Sequence, residues 1–536
     1  MKMIKTLILG SAAGLLAMGG AQAADLPVKA KPVEYVRICS LYGAGFWYIP
    51  GTDTCIKLGG YLRVDTGFNV SSPYDAPPWS GDVGQGNRYA DYFQTRSRMA
   101  LTVDTRTATE YGVVRTFMQG DFQFSTLGAS RNPNVLNTNL GNAGNLLDTV
   151  GGGYVAVEFV FIQFAGFTFG KSASAYATPW HGYPGNNSSF LLGGHDTVTG
   201  VNNIQYTAQF GNGVSGTIGL DDPAVFSRTQ IFNLSTGLPA TGAGVTGNAY
   251  GGVHAPDIVG NIRVDQAWGL FQISGRAHLV NASYNSLTAA TAQPCNAFIS
   301  ATSCQFGASE TSGHPSDKWG GSVMAALQIK NIPTGPGDDI KIDASFAKGD
   351  TKNVISTSGT SPNFLIFSPQ GGGSVTPGAY NSLGFGATTE AIFMPVAGGG
   401  DGSLHLTSAF GVRGAFNHNW DPYWSSSLFG SYSAVRYDGT AKLLFCNEFI
   451  RATGGAGVKS ADFSCNPDFN ISQLGMVTRW TPVKNLTFSG EVMWTSLDQK
   501  FTGSSLLTGI APKPTAVYNF ADQNIFSVLA RVQRNF

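Results

Sequence analysis

Apolar and polar residues alternate with a period of two along most of this chain. In residues 55–68, Ile56, Leu58, Leu62, Val64 and Phe68 share one face, while Lys57, Tyr61, Arg63 and Asp65 share the other. Residues 92–106 set Phe93, Met99, Leu101 and Val103 opposite Gln94, Arg96, Arg98, Thr102 and Asp104. Residues 111–124 set Val114, Met118, Phe122 and Phe124 against Arg115, Gln119, Asp121 and Gln123. Side chains of a strand point alternately to its two faces, so each segment reads as a strand with one apolar and one wet face. Further segments of this kind lie at 153–164, 167–172, 202–210, 214–221, 257–266, 270–282, 318–329, 339–348, 403–416, 423–436, 469–480, 486–496 and 524–536. The pattern predicts sixteen strands.

The connections add an orientation. Those after even-numbered strands are short, such as Ala165-Gly166 and Gly211-Asn212-Gly213. Those after odd-numbered strands are long and rich in Gly, Ser, Asn and Pro, as at 69–91, 125–152 and 350–402. All long loops therefore leave from one end, which predicts an all-β fold: a transmembrane antiparallel β-barrel over residues 54–536, with short periplasmic turns and long external loops. A secreted sandwich also alternates along its strands but has no reason to segregate loop lengths. Lipid offers no hydrogen bonds to backbone groups, so such a sheet must close on itself. A barrel of this size is too wide for its own side chains to fill and holds water unless something plugs it.

Composition fits lipid contact. Charged residues are 12% of the chain, against about 25% in ordinary soluble domains, although no apolar run is long enough to cross a membrane as a helix. A formal net charge of zero gives no reason to expect nucleic acid. Lys2 and Lys5, an apolar stretch and Ala21-Gln22-Ala23 read as a signal peptide over 1–23, followed by a periplasmic segment over 24–53. The six cysteines suit an oxidising compartment, and their order suggests three local disulfides: Cys39 with Cys55, Cys295 with Cys304 and Cys446 with Cys465. That pairing rests on proximity along the chain. With no C-x-x-C motif and scattered histidines, no metal or cofactor is expected.

Two features imitate other chemistry. Gly166-Phe167-Thr168-Phe169-Gly170-Lys171-Ser172 resembles a phosphate loop but has one residue too few between its glycines and no following helix. Tyr92, Trp420, Tyr423, Trp424, Trp480 and Trp494 fall at strand ends, where interfacial girdle residues belong. No nucleophile motif is present, so no catalytic residues are assigned and no enzyme is expected.

Residues 24–65 read ADLPVKAKPVEYVRICSLYGAGFWYIPGTDTCIKLGGYLRVD, and the chain ends RVQRNF. Both ends resemble the alphaproteobacterial general porins of the Brucella and rhizobial type, and the closing Phe536 resembles the terminal assembly signal of outer-membrane barrels. The resemblance implies a sixteen-stranded porin in the outer membrane, usually trimeric, that passes small hydrophilic solutes and ions. It also implies a third external loop folded into the lumen. Here that loop is 173–201, with Trp180, His181, Tyr183, His195 and its one acid, Asp196. The strand phase turns Lys57, Arg63, Arg96, Arg98 and Arg115 into the lumen opposite this loop, with Glu158 beside it. A wall of arginines facing an acid would set a transverse field and hence ion preference. With so little acid in the loop, a wide, weakly selective pore is expected. Alternatives are a substrate-specific channel, which needs aromatics lining the lumen, and a surface adhesin or structural barrel.

Overall fold

The computed structural model describes residues 37–70, 93–125, 154–195, 199–224, 228–236, 248–285, 312–355, 361–369, 379–507 and 514–536. Among them, sixteen strands form one closed antiparallel sheet. In chain order these are β1 (Thr54–Phe68), β2 (Phe93–Thr109), β3 (Gly112–Ser125), β4 (Tyr154–Phe164), β5 (Phe167–Ser172), β6 (Val201–Gly211), β7 (Val214–Asp221) and β8 (Asp257–Gln266). The circuit continues with β9 (Gly269–Val280), β10 (Lys318–Lys330), β11 (Asp339–Lys348), β12 (Ser408–Asn419), β13 (Trp424–Arg436), β14 (Phe469–Val483), β15 (Leu486–Gln499) and β16 (Gln523–Asn535). Each strand pairs with its sequence neighbours, and β16 returns to β1.

The alternation explains this arrangement. Leu62, Val157, Ile218, Ile262, Leu428 and Phe526 lie on the outer face and are more than half exposed. Lipid makes that exposure favourable, while the polar partners at odd phase face inward. Trp420, Tyr423, Trp424 and Trp480 are exposed at the short-turn end, with Trp424 and Trp480 stacked at 5.9 Å between centroids. Tyr92 lies outside the described residues, and the Trp494 Nε1 donates to Asn524 Oδ1 at 3.1 Å. Short turns hold residues at positive φ, as hairpins that match strand twist require. Ala165 (50°) precedes Gly166 (87°), and Asn212 (49°) precedes Gly213 (73°).

The seam has an uneven edge. β16 pairs with β1 only from Tyr61 onward, and the Phe536 N–H donates to Gly60 O at 3.1 Å. Residues 54–59 of β1 therefore project past the end of β16 with one edge uncovered by it. Trp47–Tyr48 fills that place, pairing with Ile56 and Cys55. Behind it, Cys39 N–H donates to Phe46 O at 3.0 Å, and the Cys39–Cys55 disulfide ties the hairpin to the strand, its Cα atoms 6.0 Å apart. An open strand edge is a template for unwanted pairing, and this hairpin covers it.

The long connections differ from the polar loops expected. Phe364–Ser368, Ser382–Gly386, Ser504–Leu507 and Ala516–Phe520 form a four-stranded sheet, and helix α1 (Gly439–Ala452) packs beside it. Asp438 caps α1 by accepting from Ala441 N–H at 2.7 Å. Phe364, Phe385, Phe445, Phe449, Phe501 and Phe520 pack into one buried apolar core that also takes in Phe190 and Leu192. The Cys446–Cys465 disulfide lies against this core. These apolar residues come in short bursts from separate connections and meet only in the folded chain, so the local sequence read as polar. Cys295 and Cys304 lie outside the described residues.

Replacing Cys39 and Cys55 together by Ser releases a short loop, a change that costs about 3 kcal/mol in chain-entropy terms. The expected result is a lower heat-unfolding midpoint of the detergent-solubilised barrel, read as a gel-mobility shift. An unchanged midpoint would mean that the hairpin holds the edge without its disulfide.

Candidate functional site

The connection between β5 and β6, residues 173–200, does not project outward. Its described residues, 173–195 and 199–200, run inside the barrel against the inner surface of β7 to β16. Near its start, the Ser174 hydroxyl lies 2.5 Å from Asp221 Oδ2, and Asn261 Nδ2 donates to Ala175 O at 2.6 Å. Gln272 Nε2 donates to Ala177 O at 2.7 Å, and Ala175 and Tyr176 pack on Val259, Met324 and Ala326. Farther round, Asn417 Nδ2 donates to Pro184 O at 3.1 Å, and Leu191 packs on Ala415, Phe429 and Val477.

The anchoring is tightest at β12 to β16. The Glu491 carboxylate accepts the backbone N–H groups of Asn187 and Ser188, the second at 3.1 Å. Gln473 accepts from Leu192 N–H at 2.7 Å and donates to Phe190 O at 3.0 Å. Arg413, 1% exposed, pairs with Asp343 at 3.0 Å and donates to His195 O at 2.7 Å. Arg479 donates to Asn187 Oδ1, and Arg531 Nη1 donates to Asn187 O at 2.9 Å. The loop returns beside β4, where Gly200 N–H donates to Glu158 O at 3.1 Å. Many of the loop's backbone polar groups are thus satisfied by inward side chains, as burial demands.

The inward charges of β1 to β4 form a second, largely buried group. Arg63 Nε donates to Gln533 Oε1 at 2.8 Å, and its guanidinium lies 4.4 Å over the Tyr61 ring. Arg96 is 2% exposed and paired with Asp65, which also accepts from Arg531 Nε at 2.6 Å. Arg98 lies 2.7 Å from Asp121 and 3.9 Å from Glu158. Two residues lie apart from this group. Lys57 sits 5.8 Å over the Phe46 ring of the N-terminal hairpin. Arg115 pairs with Asp104 at 3.0 Å and donates to Gln163 at 2.9 Å. Asp196 lies outside the described residues.

The partners of the arginines are carboxylates on the same wall, because register places them there: Asp65 lies opposite Arg96 on β2 and Arg531 on β16. A buried guanidinium without a partner would be costly, so neighbouring strands neutralise one another. Among the described residues, Arg63, Arg96, Arg98 and Arg531 meet Asp65, Asp121 and Glu158, leaving a small positive excess. Arg413, Arg479, Glu491 and Arg531 were absent from the sequence-derived set. Their inward phase on β12, β14, β15 and β16 was the signal that could have found them.

A closed barrel of sixteen strands with one connection folded along its inner wall is the architecture of an outer-membrane channel barrel. A family profile described as porin subfamily matches residues 25–529, and the chain belongs to that family. It is 34% identical over 275 residues to the porin Omp2b of Brucella suis, a match covering 50% of this chain and 64% of that relative. Against Omp2b of Brucella abortus (strain 2308) it is 34% identical over 277 residues, covering 50% of this chain and 63% of the relative. The chain thus spans under two thirds of these relatives' length. Among solved structures, the outer membrane channel DcaP of Acinetobacter baumannii superposes with a TM-score of 0.52 at 15% identity, covering 91% of this chain and 99% of that one.

Two outcomes follow from the loop's anchoring. Arg413→Ala leaves Asp343, fully buried, without its partner, a loss of about 3–5 kcal/mol. Lower heat stability and faster proteolysis within 173–200 are expected, and Arg413→Met with Asp343→Leu should recover part of the stability. His195, 5% exposed with its Nδ1 2.6 Å from Asn353 Oδ1, has its pKa pushed down from 6.5 to about 3 by burial first, then by Arg276. A depressed value means its contribution is complete above about 6.5 and lost as pH falls toward 3. Proteolysis of the loop should therefore rise on acidification through that window, and His195→Asn should flatten the rise.

Proposed function

We propose that this protein forms a water-filled channel for passive diffusion of small hydrophilic solutes and ions across the outer membrane. The observation that carries this reading is the inward loop, anchored along β7 to β16 inside a closed sixteen-stranded barrel. Membership of the porin subfamily and the channel-type fold support it. The loop and the shared apolar core of the external connections take up much of the bore, so the passage is narrower than the strand count alone suggests. Because Arg96, Arg98, Arg413 and Arg531 each have a carboxylate partner, the expected selectivity is weak, with a slight preference for anions from the positive excess.

Three finer points belong to the same proposal. Cleavage after Ala23 releases the mature chain, and the hairpin at residues 37–53 then sits at the periplasmic mouth. The loop sheet and α1 face outward. The protein works as a homotrimer in lipid, an expectation that comes from the family rather than from any described surface.

Single-channel recording in a planar bilayer tests this reading. Stable ohmic steps are expected from the purified protein, and correctly folded protein without conductance would end the proposal. Arg98→Ser frees Asp121 and Glu158 of their cation without disturbing the buried Arg96–Asp65 pair. A reversal potential shifted toward cations is expected, and an unmoved one would take Arg98 out of the selective region.

A further inference from the structure

Toward the short-turn end, the wall of β2 to β9 carries two adjoining cavities. One of about 550 Å³ is bordered by Tyr42, Arg106, Arg115, Gln163 and Thr168. Another of about 430 Å³ extends beneath residues 173–181 past Gln205, Thr217 and Asn261 to Arg263. Gln163, Thr168, Thr207 and Gln209 border both, so the two form one continuous trough.

Its chemistry is graded. The middle is lined by amides and hydroxyls, with Gln163 Nε2 donating to Thr168 Oγ1 at 3.1 Å and the Thr207 and Thr217 hydroxyls 3.0 Å apart. Each end carries two cations around one carboxylate. Arg106 and Arg115 share Asp104 at 3.1 and 3.0 Å. Arg263 and Lys330 share Asp265 at 2.9 and 3.0 Å. Both ends therefore keep an unbalanced positive charge, exposed enough to meet a solute. The Arg115 guanidinium lies 5.2 and 5.5 Å from the centroids of Phe117 and Phe161, which stack at 5.3 Å and place two aromatic rings on the inner wall.

We propose that this trough is a binding subsite for small hydroxylated carboxylates, the chemical class of sugar acids. The carboxylate meets the Arg106–Arg115 end in a charge-assisted pair. The hydroxyls exchange hydrogen bonds with Gln163, Thr168, Thr207 and Gln209, which donate and accept without imposing a charge. The Arg263 end draws the anion along the trough. A neutral sugar lacks the first contact and a simple carboxylate the second, so the site favours solutes that carry both. This deepens the channel reading by naming a solute class.

Calorimetric titration of the full-length protein in detergent with glucuronate, glucose and acetate measures binding without requiring conduction. Glucuronate should bind about tenfold more tightly than either control, the worth of one charge-assisted hydrogen bond. Arg115→Gln should erase that margin, and Arg115→Lys should keep part of it, both with an unaltered heat shift. Glucuronate no tighter than acetate or glucose, or an Arg115→Gln protein that folds and binds as before, overturns the subsite. In a bilayer, glucuronate should reduce the ion current in a saturable way. Binding in detergent without channels in the bilayer would preserve the subsite and refute the channel, whereas conducting channels with flat titrations would do the reverse.

Discussion

The structure depends on one constraint: every backbone N–H and C=O within lipid needs a partner from the chain itself. Sixteen strands meet it by closing β16 onto β1, and the strictness of the demand shows at the seam. Where β16 stops at Phe536, β1 still has backbone to satisfy. The Trp47–Tyr48 segment supplies it, held by the Cys39–Cys55 bond. A hairpin that reads in the sequence as part of a periplasmic segment is thus part of the closure.

The same demand, moved inside, explains the lumen. A connection folded within the barrel carries its own peptide groups into a confined space, and inward side chains answer them. Glu491, Gln473, Arg413 and Arg531 bind the main chain of residues 187–195 rather than one another alone. The residues that hold the loop and those that leave charge in the passage belong to one network. Arg531 links both, bonding Asn187 on the loop and Asp65 on the wall.

Much of this was legible in the sequence because the period-two signal acts locally. All sixteen strands, their facing and the alternation of connection lengths follow from neighbours in the chain. The inward direction of Arg63, Arg96, Arg98, Arg115 and Glu158 was readable for the same reason. What was not legible depends on register and on distant partners. Phase shows that Arg96 points inward but not that Asp65 stands opposite and removes it from open water. Nor does it show that Lys57 and Arg115 lie toward the short-turn end, away from the anchored stretch of the loop. The loop core was hidden more deeply, since Phe364, Phe445, Phe501 and Phe520 stand in segments that look like linkers one at a time.

That shared core bears on how the outer face can change. Connections that dangle separately can drift, lengthen or exchange without regard to one another. Here Phe385 touches the rings of Phe445, Phe449 and Phe501 from other connections. A substitution at any of them is felt by its neighbours, so variation is channelled to positions outside the core. On the proposed outward orientation, whatever approaches from outside meets a shared core rather than separate loops, and recognition changes most freely at residues outside that core.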